Sequence, residues 1–500
     1  MSRVYPISLG EAQSSAWRVF VDGEAAPVRM ARVSAWPINR RWPGHQRSVE
    51  ETEIAGFVQF ETDGPAEIRV TPRRLGQSVT VRPLSRGVTP RVEGGDILFT
   101  LPGPGQYTLE MDGSHRALHL FADPVTSFPV DPKDPSVIYF SRGVHTPGAI
   151  RLASGQTLYL DEGALVYGRI EATDAHDIRI LGHGILDGSR NTEEILSEMG
   201  TEQQEAYEKG WAVPNALRRH TVELSYCDRV ETRGITIRDS LVYNIRPVCC
   251  RGLTIDDVKI IGSWRYNSDG IDMHNCQDVV IRNCFVRTFD DSICVKGFDY
   301  TQDESDMLHG GVLYDTFQNV LVENCVIWCD WGRSLEFGAE TRARDISRVT
   351  FRRCDLIHNA HIAMDVQNVD YAHIHDVLFE DIRVEYEPVT QRPRLQTADW
   401  DYFEEDPASD YLPALMGCHV LYIPEYSAGG SRRGVNSRIT FRRIHVTAPA
   451  MPPSAFTGYD PDHMSHHILI DGLTLNGHPV TTLSAARVTA NEYTSDIQIK

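Results

Sequence analysis

Along most of the chain the apolar residues follow one short recurring motif: an apolar residue, a spacer, a second apolar residue, two polar or small residues, then another apolar pair. It reads VVIRNCFV from Val279, VLVENCVI from Val320, VTFRRCDL from Val349, VLFEDIRV from Val377, ITFRRIHV from Ile439 and ILIDGLTL from Ile468. LTIDDVKI from Leu253 belongs with them, and weaker copies begin at Val230 and Ile178. From Val230 onward consecutive starts lie 23, 26, 41, 29, 28, 62 and 29 residues apart, so the short intervals are one repeat and the long ones a repeat carrying an insertion. Period-two alternation predicts strands, and the polar pair predicts a bend between two of them. No copy can bury its apolar face alone. Stacked turn on turn the copies share one core, which predicts a right-handed parallel β-helix.

Residues 1 to about 125 lack this period. They hold hairpin-like runs, WRVFVDGEAAPVRM, GFVQFETDGPAEIRVTP and QYTLEMDGSHRALHLFADP, broken by Asp-Gly turns. The expected fold class is therefore all-β. An N-terminal β-sandwich (1–125) leads through the Pro-rich DPVTSFPVDPKDP into a β-helix (126–500), with insertions near 190–220, 299–316 and 386–435. Insertions in a solenoid gather at its binding face, so these three are expected to border a site.

Charge narrows the partners. A formal net charge of -20 argues against nucleic acid and anionic membranes, which would repel the protein. No apolar stretch approaches the roughly 18 residues that a membrane span needs. The start MSRVYPISLGEAQ has no apolar run after Arg3, so no signal peptide is read and a cytoplasmic location is expected, or a secreted one if a leader has been removed. Of the ten cysteines none forms a CxxC pair, which disfavours zinc. Cys284, Cys325 and Cys354 occupy the same place in successive repeats and are expected to stack as a buried ladder.

Candidate chemistry lies in two turn-like clusters, NSDGID (267–272) and FDDS (289–292), either side of a repeat strand. Asp269 and Asp290 are 21 residues apart, close to one turn of the solenoid, so they should sit on neighbouring turns about 4.8 Å apart. With Asp291 they crowd three carboxylates into one patch, which raises the pKa of at least one toward neutrality.

The run from DSLVYNIRPVCCRGLTI through NSDGIDMHNCQDVVIRNC to FDDSICVKG resembles the central segment of glycoside hydrolase family 28, the polygalacturonases. There an Asn-Thr-Asp motif precedes an Asp-Asp motif at this spacing, and Asn267 stands in the Asn place. The two-part plan, with LFADP followed by VIYFSRGVH and LYLDEGALVYG, resembles family 49, the dextranases and isopullulanases of the same clan. The resemblance implies inverting hydrolysis without a cofactor or metal, Asp290 protonating the glycosidic oxygen while Asp269 and Asp291 hold and deprotonate a water. An inverting pair is expected to stand about 6.5–9.5 Å apart to admit that water.

Departures from the family pattern bear on the substrate. GRSLEFG (332–338) aligns with the family's Gly-His-Gly turn, with Arg333 in the His place and Glu336 in a Ser place. HIAMDVQ (361–367) aligns with its Arg-Ile-Lys, so that Ala363 and Asp365 replace two cations. An aspartate there would repel a uronate, so a neutral, α-glucan-type oligo- or polysaccharide is the expected substrate. Lys296 and Arg333 remain as cations able to meet a uronate. Glu336 and Asp365 are expected to accept from sugar hydroxyls, His361 to touch substrate, and Trp331 or Trp328 to stack on a pyranose face. Trp400 and Tyr402 suggest a lid, and the nearby Glu404, Glu405 and Asp406 a solvated acidic run. The alternatives are an exo-polygalacturonase, a polysaccharide lyase, for which the trio lacks a Lys or Arg base, and a non-catalytic carbohydrate-binding protein.

Overall fold

A computed structural model describes residues 2–35, 49–208, 213, 217–298, 304–387, 396–398, 401–402, 412–424, 426–427 and 432–500. The alternation read from the sequence becomes one 31-stranded sheet that coils on itself from Val137–Phe140 to Thr494–Ile499, its strands pairing in parallel from coil to coil except for His478–Pro479, which is antiparallel to Thr474–Leu475. A coil is built from three short strands. Ile271–His274, Gln277–Arg282 and Phe285–Thr288 make one, and Ile293–Lys296, Thr316–Glu323 and Val326–Cys329 the next.

The nine motif starts stand in a single column. Ile178 pairs with Val230, Val230 with Leu253, and so on through Val279, Val320, Val349, Val377, Ile439 and Ile468. The fifth residue of each copy makes the bend with positive φ, from 50° at Arg443 to 123° at Gly182. For a non-glycine residue that conformation costs about 1–2 kcal/mol. The stack holds it: the N–H groups of Asp257, Asn283, Asn324 and Arg353 each donate to a carbonyl of the following coil, at 3.0, 3.1, 3.2 and 2.9 Å. Directly after the bend Cys284, Cys325 and Cys354 are fully buried, forming the expected ladder. Phe351, Phe379 and Phe441 stack above one another at 5.0 and 5.1 Å.

Ahead of the coil, eleven strands form two sheets around Trp17, Val58, Phe60, Val70, Leu109 and Leu120. The last of these strands is Leu118–Pro124. Its Phe121, with Phe57, packs on Phe285 and Trp328 from the third strands of two coils. Lys259 Nζ bridges the same boundary, 2.6 Å from Asp123 and 2.9 Å from Asp257. Trp328 is thereby corrected as a sugar platform: it is 2% exposed, its Nε1 donates to Asp330 Oδ1 at 2.7 Å, and Arg287 lies over its ring. The insertion near 190–220 carries two helices, Asn191–Glu198 and Thr201–Glu208. The side chains of Trp400 and Tyr402, and residues 404–406, lie outside the described residues.

Candidate active site

Five successive coils present their entry corner to one cleft. Ile245 pairs with Ile271, Ile271 with Ile293, Ile293 with Leu335, and Leu335 with Met364. Two residues before each of these lies a second column, Tyr243, Asp269, Asp291, Arg333 and Ile362. The true repeat between the aspartates is thus 22 residues, and Asp269 faces Asp291, with Asp290 one residue to the side. Main-chain bonds fix the corner: Gly270 N–H donates to the Asp291 carbonyl and Ser292 N–H to the Arg333 carbonyl, each at 2.8 Å. Close approach explains two glycines. A Cβ on Gly270 would lie 2.2 Å from the Ser292 carbonyl, and one on Gly332 would lie 2.5 Å from the Asp291 nitrogen.

One carboxylate oxygen from each of Asp269, Asp290 and Asp291 lies within 4.8 Å of the others. Coil spacing sets the separation, because residues stacked on adjacent rungs cannot part much further than the strands that carry them. The same spacing would admit a cation, but the positive charge at this point comes from Lys296. Its Nζ is 2.6 Å from Asp272, 3.4 Å from Asp269 and 3.6 Å from Glu340. Burial works against its charge, yet Asp272 and Glu340 outweigh that cost and push its pKa well above the usual lysine value.

Two of the three carboxyls, Asp269 and Asp290, are driven toward protonation. Burial, then the neighbouring Asp272 and Asp290, raises Asp269 well above the ordinary carboxylate range, and burial with Asp291 does the same to Asp290. Asp291 Oδ1 accepts from the Arg333 N–H at 2.9 Å. Asp269 is 2% exposed, whereas Asp290 and Asp291, at 7% and 8%, are the members that open to the cleft.

The cleft encloses about 280 Å³, and Asn267, Lys296, Trp331, Arg333 and His361 line it with the trio. Trp331 lies parallel to Phe289 at 5.4 Å and 5.5 Å from Tyr266. Burial, reinforced by Arg333, lowers His361 to about 4, so it is neutral above that pH. Glu336 and Asp365 do not line the cleft and are corrected as sugar contacts: they are 0% and 1% exposed, paired with Arg333 at 3.5 and 2.8 Å. The family alignment singled them out, but both carboxylates are turned to the Arg333 guanidinium. For the same reason Asp365 is no isolated charge that would repel a uronate.

Sequence reasoning missed Tyr243, Tyr266, Glu340, Gln367, Ile423 and Tyr426, which complete the walls. Tyr243 could have been found by carrying the column one coil back from Asp269. Ile423 and Tyr426 come from the insertion near 386–435, where no repeat frame predicts position.

Residues 146–386 match the family model described as Glycosyl hydrolases family 28. That segment is a glycoside hydrolase domain. It contains every cleft residue named above except Ile423 and Tyr426, and the resemblance read from the sequence holds. A Probable polygalacturonase of Vitis vinifera is 31% identical over 84 residues, 16% of this chain and 17% of that protein. A Polygalacturonase of Brassica napus is 26% identical over 140 residues, 27% of this chain and 30% of that protein. The chain thus spans less than a third of the length of these curated relatives. Dex49A from Penicillium minioluteum superposes with a TM-score of 0.63 at 14% identity, over 99% of this chain and 96% of that one, a likeness of fold.

Proposed function

We propose that the protein is an inverting glycoside hydrolase acting on a neutral, α-glucan-type oligosaccharide or polysaccharide, with Asp290 as general acid and Asp269 and Asp291 holding the attacking water. The observation that carries the reading is the juxtaposition of three carboxylates, oxygens within 4.8 Å, in a cleft of the glycoside hydrolase domain. A water donating one hydrogen bond of about 2.8 Å to each of two such oxygens spans that distance. Burial and Asp291 raise Asp290 well above the ordinary carboxylate range, which favours the protonated form that a general acid must start from. Lys296, 3.4 Å from Asp269 Oδ2, opposes the burial and the neighbouring carboxylates that raise Asp269.

A neutral sugar is favoured because the lysine and the arginine of the cleft are already ion-paired. Lys296 faces Asp272, and Arg333 faces Asp365. His361, held at about 4, adds no charge at neutral pH. Ile423 and Tyr426 close in from the long insertion, which suits release of short products from a chain end.

One observation favours a second reading of the substrate, and the stereochemical outcome is tested alongside it. Similarity to polygalacturonases raises galacturonides as the alternative substrate. One experiment separates them: the protein is incubated with α-glucan, fructan and galacturonan oligosaccharides and the first product anomer is followed by NMR. The proposal expects new reducing ends of inverted configuration from a neutral glycan. Retained configuration, or turnover of galacturonides alone, refutes the corresponding half of it.

A further inference from the structure

Away from the cleft, the middle strands of two adjacent coils bring Asp345, His373 and His375 together. Asp345 pairs with His373 in register, and His375 follows two residues along the strand His373–Glu385. Alternation sends both imidazoles outward, since Ile374 between them is fully buried in the core. Their ring centroids are 4.2 Å apart, and one ligating atom from each of the three residues lies within 4.8 Å of the other two.

From this cluster we propose a divalent transition-metal site, with zinc the ion that a two-histidine, one-carboxylate set suits best. The support around the three side chains carries the argument. Asp345 Oδ1 accepts from Ser347 Oγ at 2.6 Å and Gln318 Nε2 at 2.8 Å, which leaves Oδ2 to face His375 Nε2 at 2.6 Å. His375 Nδ1 lies 2.7 Å from Asp376 Oδ2. His373 Nε2 lies 2.9 Å from Ser437 Oγ on the following coil, which leaves its Nδ1 for the ion. Each ligand is therefore oriented by a partner on its other polar atom, the arrangement that fixes tautomer and aim in metal-binding histidines.

Bound metal would replace the contact between His375 and Asp345, moving the two ligand atoms to about 3.3 Å apart at bond lengths near 2.0 Å in a tetrahedral set. Partly exposed side chains on a rigid sheet can make that shift by rotation, and solvent supplies the fourth ligand. Arg438 is the opposing charge: its Nη2 is 2.8 Å from His375 Nδ1, but it forks onto Asp376 at 2.7 and 3.0 Å, where the carboxylate offsets it. The ion would tie two coils together on the middle column of strands, while the aspartate trio sits at the corner before the first, so its effect is on stability and not on turnover.

The test uses the full chain, stripped with EDTA and desalted. Zn²⁺ binding is measured by calorimetry, Co²⁺ by its visible spectrum, and thermal unfolding is recorded with and without Zn²⁺. One saturable ion in the micromolar range, tetrahedral Co²⁺ bands and a higher Tm are expected. His373→Ala, His375→Ala and Asp345→Asn should each lose that ion with an unchanged circular dichroism spectrum, and Asp376→Asn should weaken it about 10–100-fold. Asp291→Asn should retain it. Absence of saturable binding, or binding that survives the histidine variants, overturns the proposal.

Discussion

Arg333 Nε lies 2.8 Å from Asp365 Oδ2, two residues that neighbouring coils bring together and that are both largely withdrawn from water. The pairing consumes the positive charge that a uronate would otherwise meet. Asp365→Asn should therefore have two effects. Loss of one partner of a buried pair costs about 3–5 kcal/mol, and because Arg333 keeps 22% of its side chain exposed the lower end, about 3 kcal/mol, is expected in urea unfolding. The freed guanidinium should also raise kcat/KM on galacturonides relative to a neutral glycan, measured side by side.

Lys296 should behave as part of the reaction centre. Lys296→Met removes the cation next to Asp269 and leaves Asp272, which burial already raises to about 6, without its partner. We expect kcat to fall at least about 100-fold with little change in KM, and stability to fall by about 3–5 kcal/mol. Adding Asp272→Asn should restore much of the stability and none of the rate. Recovery of both would mean that the lysine serves only the fold.

Asp290 makes stability depend on pH. An aspartate in the unfolded chain titrates near 3.9, whereas burial and Asp291 hold Asp290 well above that value in the fold. The folded protein thus keeps a proton that the unfolded chain releases. This contribution is complete below pH of about 4 and is lost as pH rises through the folded value. Asp290→Asn has no such proton to lose, so it should be more stable than the native protein at neutral pH, by about 0.5–2 kcal/mol, and equal to it in acid. Urea midpoints across pH 3.5–8 measure the difference.

His361 is predicted to leave no mark on the neutral pH range. Burial and the nearby Arg333 hold it to about 4, so it has lost its charge before the neutral range is reached. His361→Gln should raise KM several-fold and leave the alkaline limb of the rate profile where it was. Movement of that limb would assign it to the imidazole.

How much of this was legible follows from what repeats. The motif starts from Ile178 to Ile468 fall into one column because each must fill the same slot of a shared core, and burial writes that constraint into the sequence. The cysteine ladder and the aspartate trio follow from the same frame, since coil length converts sequence spacing into height. Glu336 and Asp365 mark the limit. Aligning a motif places a residue on a turn but does not say what its side chain meets, and the Arg333 guanidinium pairs with both. Tyr426 and Ile423 reach the cleft from an insertion with no period, so nothing in the order of residues announces them. The pairing of Asp345 with His373 was also hidden: the two are 28 residues apart, and neither carries a metal-ligand spacing on its own.

The central claim, that Asp269, Asp290 and Asp291 form one hydrolytic centre, is tested most directly by the rate of reducing-end release from the best neutral oligosaccharide, compared between the native protein and Asp290→Asn. A fall of about 100- to 10,000-fold with the variant folded and at least as stable is the predicted result. An unchanged rate in that variant would contradict it.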